Sequence, residues 1–191
     1  MKKRLHINKG FSLVELIIVI AILAILAAAI APAILRYIDK SKRADDIASA
    51  DAIQTALKAS MSEGDINDIV MAWDVDIKDH DASATTILLV CASGDDEWTN
   101  PTTNADLDEL KEVLDKTCAP PVIKYKKKIV ASSAGNSNSN YCLGTSGQFT
   151  PKGWAVGINP NDELCVYITN GALDTSVEGI ALNPNACRDY K

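Results

Sequence analysis

The clearest hydrophobic pattern in the chain is an uninterrupted apolar run near its start. No charged side chain occurs in the 20 residues from Leu16 through Leu35. At a rise of about 1.5 Å per residue, a helix of this length spans about 30 Å, the thickness of the hydrocarbon core of a bilayer. The pattern therefore predicts a helix that can cross a membrane.

The same helix is predicted to continue beyond the apolar run. Apolar residues recur there among charged ones at spacings of three to six residues, which is typical of a helix with one buried face. These residues are Ile38, Ala44, Ile47, Ala50, Ile53, Leu57 and Met61, and no glycine follows them before Gly64. We expect one helix to pass from the membrane into a soluble head.

The remaining residues, 64–191, predict a small head that mixes helices and strands. A short helix is expected at 66–73. A second helix is expected after the capping residues Thr103-Asn104 and before Pro120-Pro121, because Leu107, Leu110, Val113 and Leu114 share one helical face.

Several apolar, β-branched runs in the head predict strands. These runs lie at 86–91, 122–130, 154–158 and 164–169, and the last two are predicted to form a hairpin across 159–162. A long helix followed by antiparallel strands indicates an α+β fold.

A charged residue stands at the start of the apolar run, behind a short basic segment at 1–10. The carboxylate of Glu15 would cost roughly 2.5–3.5 kcal/mol at the centre of a bilayer, so an acid there suggests a function. Near a helix start, the same carboxylate is instead favoured by about 0.3–1 kcal/mol. Both explanations stay open at this point.

These features together resemble a known signal. A basic leader, a glycine, an aromatic residue and a glutamate precede an apolar helix that contains a proline. In this chain they are Lys9-Gly10-Phe11-Ser12-Leu13-Val14-Glu15-Leu16-Ile17-Ile18-Val19-Ile20-Ala21-Ile22-Leu23 and Pro32. Residues 9–45 are similar to the class III signal and N-terminal helix of type IV pilins and their pseudopilin relatives.

The resemblance implies how the N-terminus is processed. A prepilin peptidase would cleave between Gly10 and Phe11, and Phe11 would then be N-methylated. In a filament, the amine of Phe11 would neutralise Glu15 of a neighbouring subunit and thereby set the axial register. The alternative is an ordinary secretory signal, cleaved after the small residues at 27–31.

The resemblance also implies an architecture in four segments. Residues 1–10 form a leader, residues 11–35 a transmembrane and filament-core helix, residues 36–63 its amphipathic continuation, and residues 64–191 a globular extracellular head. The expected fold is α+β and pilin-like, with the apolar half of the helix protruding as a stem and the other half packed on an antiparallel sheet.

Two positions of the apolar helix bear on its stability. Pro32 removes one backbone donor and leaves the Ala28 carbonyl without its helical partner, which predicts a kink. Family members often carry glycine at the position matched by Ala24, so this helix should melt less readily in a filament.

The charge of the chain disfavours a nucleic-acid partner. The chain has 19 Lys and Arg against 25 Asp and Glu, for a formal charge of −6 and a mean hydropathy of +0.02. Its head has one basic cluster, at Lys124, Lys126, Lys127 and Lys128. On a strand, three of these would share one face and protect a sheet edge. The alternatives are DNA binding, which some pilins perform, and charge pairing between subunits.

No metal site or cofactor is predicted. Acidic residues at Asp74, Asp76, Asp79, Asp81 and 95–97 suggest calcium, but they lack the glycine and glutamate spacing of a calcium loop. The resemblance keeps calcium as the alternative to solvated acidic loops, because some pseudopilins hold calcium in irregular loops. His80 is the only histidine outside the leader, and the cysteine spacings match no zinc motif.

The five cysteines, at 91, 118, 142, 165 and 187, allow several disulfide arrangements. Burial of all of them as thiols also remains open. The resemblance favours a disulfide between Cys165 and Cys187, because many pilins close a loop near the C-terminus.

The sequence predicts a structural subunit of a type IV pilus and no catalysis. Its expected partners are prepilin peptidase, identical or related pilin subunits, the pilus assembly machinery and the membrane. It would lie in the cytoplasmic membrane before assembly and at the cell surface afterwards. The alternatives are a pseudopilin of a type II secretion or DNA-uptake system, and a membrane-tethered extracellular binding domain or enzyme.

Overall fold

The computed structural model describes residues 10–61, 85–102, 105–130, 142–143, 148–159, 163–174, 177–184, 186–187 and 190. The chain divides into two compact units, Met1–Lys40 and Ser41–Lys191. Several predicted features lie outside the described residues: the helix at 66–73, the cap Thr103-Asn104, the acidic residues 74–81 with His80, and the leader up to residue 9.

One long helix, α1, spans Leu13–Met61 and contains Pro32. It confirms the predicted continuous helix from the apolar run into the amphipathic segment. Within the second unit, α1 buries one face at the helical spacing of a packed stripe. The residues of this face are Asp46, Ala50, Ile53, Gln54, Leu57 and Ser60.

The head contains a five-stranded antiparallel sheet, among the residues that the structure describes. Its strands are β1 (Thr86–Ala92), β3 (Cys142–Leu143), β5 (Gly153–Ile158), β6 (Leu164–Thr169) and β7 (Gly179–Asn183). They lie in the order β1-β5-β6-β7-β3. The predicted hairpin is confirmed, because β5 and β6 pair in antiparallel register from Gly153↔Thr169 to Ile158↔Leu164.

The remaining elements are one helix and a small two-stranded sheet. Helix α2 spans Ala105–Thr117, as the apolar spacing predicted. Strands β2 (Ile129–Val130) and β4 (Gln148–Phe149) pair with each other.

Side chains of the large sheet alternate between two apolar clusters, as the pleat of a strand dictates. On β5 and β6, Trp154, Val156, Val166 and Ile168 belong to the main cluster, together with the buried face of α1. Ala155, Cys165 and Tyr167 belong to a second cluster with Val90 and Ala181. The α+β fold with a long N-terminal apolar helix and an antiparallel sheet is thus confirmed.

The predicted strand over 122–130 is wrong except for its last two residues. Burial alternates from Val122 to Lys126, as in a strand, but none of the strands that the structure describes pairs with this backbone. The amides of Lys124 and Tyr125 donate instead to the carboxylate of Asp46, and the amide of Ile123 donates to Ser93 Oγ. Side chains from a helix and a turn thus replace a strand partner.

Candidate functional site

The candidate functional segment begins where α1 begins. Ser12 precedes the first helical residue, and its carbonyl accepts the amide of Leu16 at 3.2 Å. Ser12 therefore occupies the N-cap position, where serine is favoured. Glu15 lies in the first turn, three residues later, which is the spacing of a capping box. This S-x-x-E pattern was a signal in the sequence that the prediction missed.

The apolar run of α1 has no polar side. Every large apolar side chain from Phe11 to Leu35 is at least half exposed within the chain, and Phe11 is 88% exposed. The helix is long and apolar enough to cross a membrane. A helix that is apolar on all sides needs an apolar environment around it, either lipid or other protein. Leu16 through Leu35 can therefore serve as a membrane span or as part of a helix bundle.

Where α1 enters the second unit, a buried carboxylate joins three parts of the chain. Asp46 is fully buried and accepts the amides of Lys124 at 2.8 Å and Tyr125 at 2.9 Å, and the hydroxyl of Tyr190 at 2.5 Å. A buried carboxylate is stable only when such donors replace its water.

Arg43, one turn earlier, completes this group, which we call the Asp46 cluster (Arg43, Asp46, Tyr125 and Tyr190). Its guanidinium lies 4.4 Å from the centroid of the Tyr125 ring and donates to the Tyr125 hydroxyl at 2.6 Å. The rings of Tyr125 and Tyr190 meet edge to face at 5.8 Å. Burial, and then the hydrogen bond to Asp46, raise the pKa of Tyr190 well above its usual range. The cluster was not predicted, because its members are far apart in sequence.

Two further polar contacts attach α1 to the sheet. Gln54 Nε2 donates to the carbonyl of Leu164 at 2.9 Å, at the first residue of β6. The amide group of Asn183, at the end of β7, donates to Asp51. The helix is thus held to the head by directional bonds as well as by apolar packing.

The predicted disulfide is not formed in the structure. Cys165 and Cys187 are not joined by a disulfide, and they lie in different apolar clusters, Cys165 in the second and Cys187 in the main one. Cys91 and Cys118 are free thiols. Burial raises the pKa of Cys91 to about 12 and that of Cys165 to about 11, so these thiols are poor nucleophiles.

The acidic residues after β1 line an open recess of about 530 Å³. Asp95, Asp96 and Glu97 share this recess with Asp108 and Lys111, and Lys111 bonds to Glu97 at 3.3 Å. Within the described residues, no group of three or more His, Cys, Asp or Glu side chains could hold a metal ion.

Comparison with known proteins places the similarity in a limited part of the chain. Residues 5–31 match the family model of the prokaryotic N-terminal methylation motif. The type IV major fimbrial protein FimA of Dichelobacter nodosus is 39% identical over 59 residues, which are 31% of this chain and 37% of that protein.

Two other relatives match over a similar length. Fimbrial protein Q of Moraxella bovis is 45% identical over 60 residues, 31% of this chain and 38% of that protein. The type IV major pilin protein PilA of Myxococcus xanthus is 41% identical over 58 residues, 30% of this chain and 26% of that protein. The chain therefore spans less than two fifths of the length of these relatives.

No solved structure matches the chain. The match to the methylation motif agrees with the sequence prediction for residues 9–45. The chain therefore carries a prokaryotic N-terminal methylation motif, and the proteins to which it is similar over about 60 residues are fimbrial and pilin proteins.

Proposed function

We propose that the chain is a structural subunit of a type IV pilus, which polymerises through α1 into an extracellular filament for adhesion, motility or surface interaction. The observation that carries this proposal is the exposed apolar run of α1, most of which lies within the match to the methylation motif. A cleaved secretory signal would not need to continue as the helix of a folded head. The names of the relatives, which are fimbrial and pilin proteins, support the same role.

The same helix serves two environments in turn. Before assembly, the apolar run lies in the cytoplasmic membrane, and the head lies outside the cytoplasm. Prepilin peptidase removes residues 1–10, and Phe11 becomes the methylated N-terminus. After assembly, the apolar runs of many subunits pack against one another, and the heads form the outer surface of the filament.

Glu15 sets the axial register in this bundle. Apolar helices slide past one another at little cost, whereas an amine at Phe11 and a carboxylate at Glu15 of the neighbouring subunit attract each other strongly in an apolar core. A subunit in the wrong register would leave both charges buried and unpaired, at a cost of roughly 3–5 kcal/mol.

Capping of α1 is the competing role of Glu15. The spacing from Ser12 allows the side chain to bond to the helix start, which is worth about 0.3–1 kcal/mol. Glu15→Val removes both roles, whereas Ser12→Ala weakens the cap alone. We therefore expect Glu15→Val to be inserted and cleaved but to be absent from filaments, and Ser12→Ala to assemble.

Electron microscopy of surface filaments, with an antibody to the head, tests the proposal. Continuous labelling along the filament is expected, and N-terminal sequencing of the filament protein should find methylated Phe11 first. A mature N-terminus near Ala31 would contradict the processing. Labelling confined to short structures at the envelope would favour a pseudopilin. Normal filament yield from Glu15→Val would rule out the registry role.

A further inference from the structure

Two cysteines contact the same apolar cluster of the second unit. Cys91, on β1, is a fully buried member of the main cluster, and Cys118, the first residue after α2, packs against it. Both are thiols in the structure. The proposed pilin function gives neither thiol a role.

Two tryptophans flank Cys91 on the neighbouring segments of the chain. On one side, Cys91 is paired with Trp154 of β5. On the other side, Val90 exchanges both backbone hydrogen bonds with Thr99, at 2.9 and 2.7 Å. Because the two segments are antiparallel, Trp98 then lies next to Cys91. Both indole rings are fully buried in the main cluster.

The indoles of these tryptophans bind the stretch that follows α2. Nε1 of Trp98 donates to the carbonyl of Cys118 at 3.0 Å, and Nε1 of Trp154 donates to the carbonyl of Pro121 at 2.7 Å. The chain from 118 to 121 thus passes from one flank of Cys91 to the other. Burial is the main cause of the raised pKa of Cys91, and Cys118 is among the neighbours whose charge raises it further. The two thiols therefore lie close together.

The other cysteines lie elsewhere on the head. Cys165 belongs to the second cluster. The amide of Cys187 donates to the carbonyl of Ala181 on β7, and β7 is the third strand from β1 in the sheet, about 14 Å away at about 4.8 Å per strand. Strand β3, which contains Cys142, lies beyond β7. Among the cysteines whose strand or cluster the structure describes, Cys118 is the partner that Cys91 can reach.

We propose that Cys91 and Cys118 form a disulfide once the head lies outside the cytoplasm. Disulfides form and persist in such oxidising surroundings. The bond would join β1 to the end of α2 and close the loop between them. The oxidising surroundings follow from the proposed function, whereas the choice of these two thiols follows from the geometry of the head alone.

The reaction needs an oxidant that itself contains a disulfide. The thiolate of Cys118, which is the more exposed of the two, attacks one sulfur of the oxidant, and the other sulfur leaves as a thiolate. The thiolate of Cys91 then attacks the sulfur of Cys118 and releases the second thiolate. The two cysteines lose two protons and two electrons, and the oxidant becomes two thiols.

Formation of the bond requires a local adjustment at Cys118. The Cβ atoms of a disulfide lie about 3.5–4.5 Å apart. Cys118 follows the last residue of α2, and helix ends fray more readily than helix interiors. The movement therefore falls on Cys118 and leaves β1 and its partner β5 in place.

The test treats the folded full chain, in nonionic detergent at about pH 8.5, with oxidised glutathione. Remaining thiols are then blocked with N-ethylmaleimide, and tryptic peptides are analysed by mass spectrometry without reduction. Trypsin gives the peptides 79–111 and 117–124, in which Cys91 and Cys118 are the only cysteines. Linkage of these two peptides therefore identifies the disulfide directly.

The linked peptides should form and should exceed every other cysteine pair about ten-fold or more. The urea midpoint of unfolding should be higher by about 1 M or more in the oxidised chain than after reduction with dithiothreitol, because a closed loop restricts the unfolded chain. Cys118→Ser should abolish both effects. The matched control Cys165→Ala, at another buried cysteine, should keep both.

The inference would be overturned if Cys91 stayed a thiol, whether or not Cys118 carried glutathione, or if Cys91 were linked to another cysteine. Surface protein that is alkylated before extraction should also contain the linked peptides, and thiols at both positions there would overturn the inference too. These results would leave the pilin proposal standing, because assembly through α1 does not use the thiols. A chain that pairs in glutathione but never reaches the surface would contradict the pilin proposal and, with it, the oxidising surroundings.

Discussion

Asp46 is the residue on which the attachment of α1 to the head depends most. Its three donors come from positions 78, 79 and 144 residues away in the chain. Each donor that loses its acceptor inside the protein costs about 1–3 kcal/mol. The carboxylate therefore links three distant segments in one bonded group.

Removing this carboxylate should destabilise the head strongly. We expect Asp46→Ala to lower the free energy of unfolding by about 3–5 kcal/mol, because two amides and a hydroxyl are left buried without an acceptor. Tyr190→Phe removes one hydrogen bond and should cost about 1 kcal/mol. Urea unfolding of the full chain in nonionic detergent, followed by tryptophan fluorescence, measures both effects.

The neighbouring Asp45 provides the matched control for this experiment. Its side chain is half exposed and lies 3.9 Å from Lys124, so Asp45→Ala should change stability by less than about 0.5 kcal/mol. If Asp45→Ala and Asp46→Ala lowered the free energy of unfolding equally, the loss of a negative charge from α1, and not the loss of the buried hydrogen bonds, would account for the effect.

The buried thiols predict a loss of stability at alkaline pH. The pKa of Cys91 is raised from 9.0 to about 12 and that of Cys165 to about 11, mainly by burial. Above pH 9, the unfolded chain therefore loses these protons first, which favours unfolding by about 1.4 kcal/mol per pH unit for each thiol. Below that pH, the contribution is constant.

Unfolding free energies measured between pH 7 and 11 test this effect. The thiols should leave the free energy of unfolding unchanged up to about pH 8.5 and should lower it above that pH. Cys91→Ala should make the fall shallower. Tyr190 adds to the loss above about pH 10, because its raised pKa has the same sign. A Cys91→Ala curve parallel to that of the unsubstituted chain would contradict the assignment.

At the scale of elements, the close approach of the backbone around β5 requires a glycine at one position of this strand. Strand β5 pairs with β1 on one side and β6 on the other. A Cβ at Gly153 would lie 2.3 Å from the carbonyl oxygen of Cys91 and 2.8 Å from the Cα of Gly171. Neither of these is the flexible end of a side chain, so the strands themselves would have to move.

Gly153→Ala should therefore destabilise the head by about 3 kcal/mol. Gly94→Ala is the comparison, because Gly94 has a φ of +92° but no atom within 4 Å of an added Cβ; it should cost only about 1–2 kcal/mol of backbone strain. Thermal unfolding of the two variants measures the difference. A smaller loss for Gly153→Ala would mean that β1 and β5 separate easily at this position.

At the scale of the whole molecule, the two units differ in the surroundings that they need to be stable. The second unit contains the buried face of α1, the Asp46 cluster and the sheet, whereas the apolar run belongs to the first unit. The head should therefore fold without the run, provided that it keeps Arg43 and Asp46.

Two fragments test this division. Residues 36–191 should give a soluble, cooperatively folded monomer by circular dichroism and sedimentation. Residues 48–191 lack Arg43 and Asp46, and this fragment should be much less stable or fail to fold cooperatively. Equal stability of the two fragments would show that the Asp46 cluster contributes little, and aggregation of both would contradict an independent head.

The amino-acid sequence by itself determined the elements whose signals are local. The apolar run, the amphipathic continuation of α1, helix α2 and the β5–β6 hairpin each follow from a repeating pattern within a few residues. The methylation motif is local in the same sense, because it is read by order and spacing along one segment. Such patterns can be interpreted without knowing which residues pack against the element in the folded protein.

The tertiary structure alone decided how distant polar groups are matched. Residues 122–126 alternate like a strand, yet their amides bond to a helix side chain 78 and 79 residues earlier. Cys165 lies on β6 and Cys187 follows β7, and the packing of the head places them in different apolar clusters. A buried hydrogen bond requires its two groups at about 3 Å in a fixed direction, and only the packing of the whole head sets that geometry.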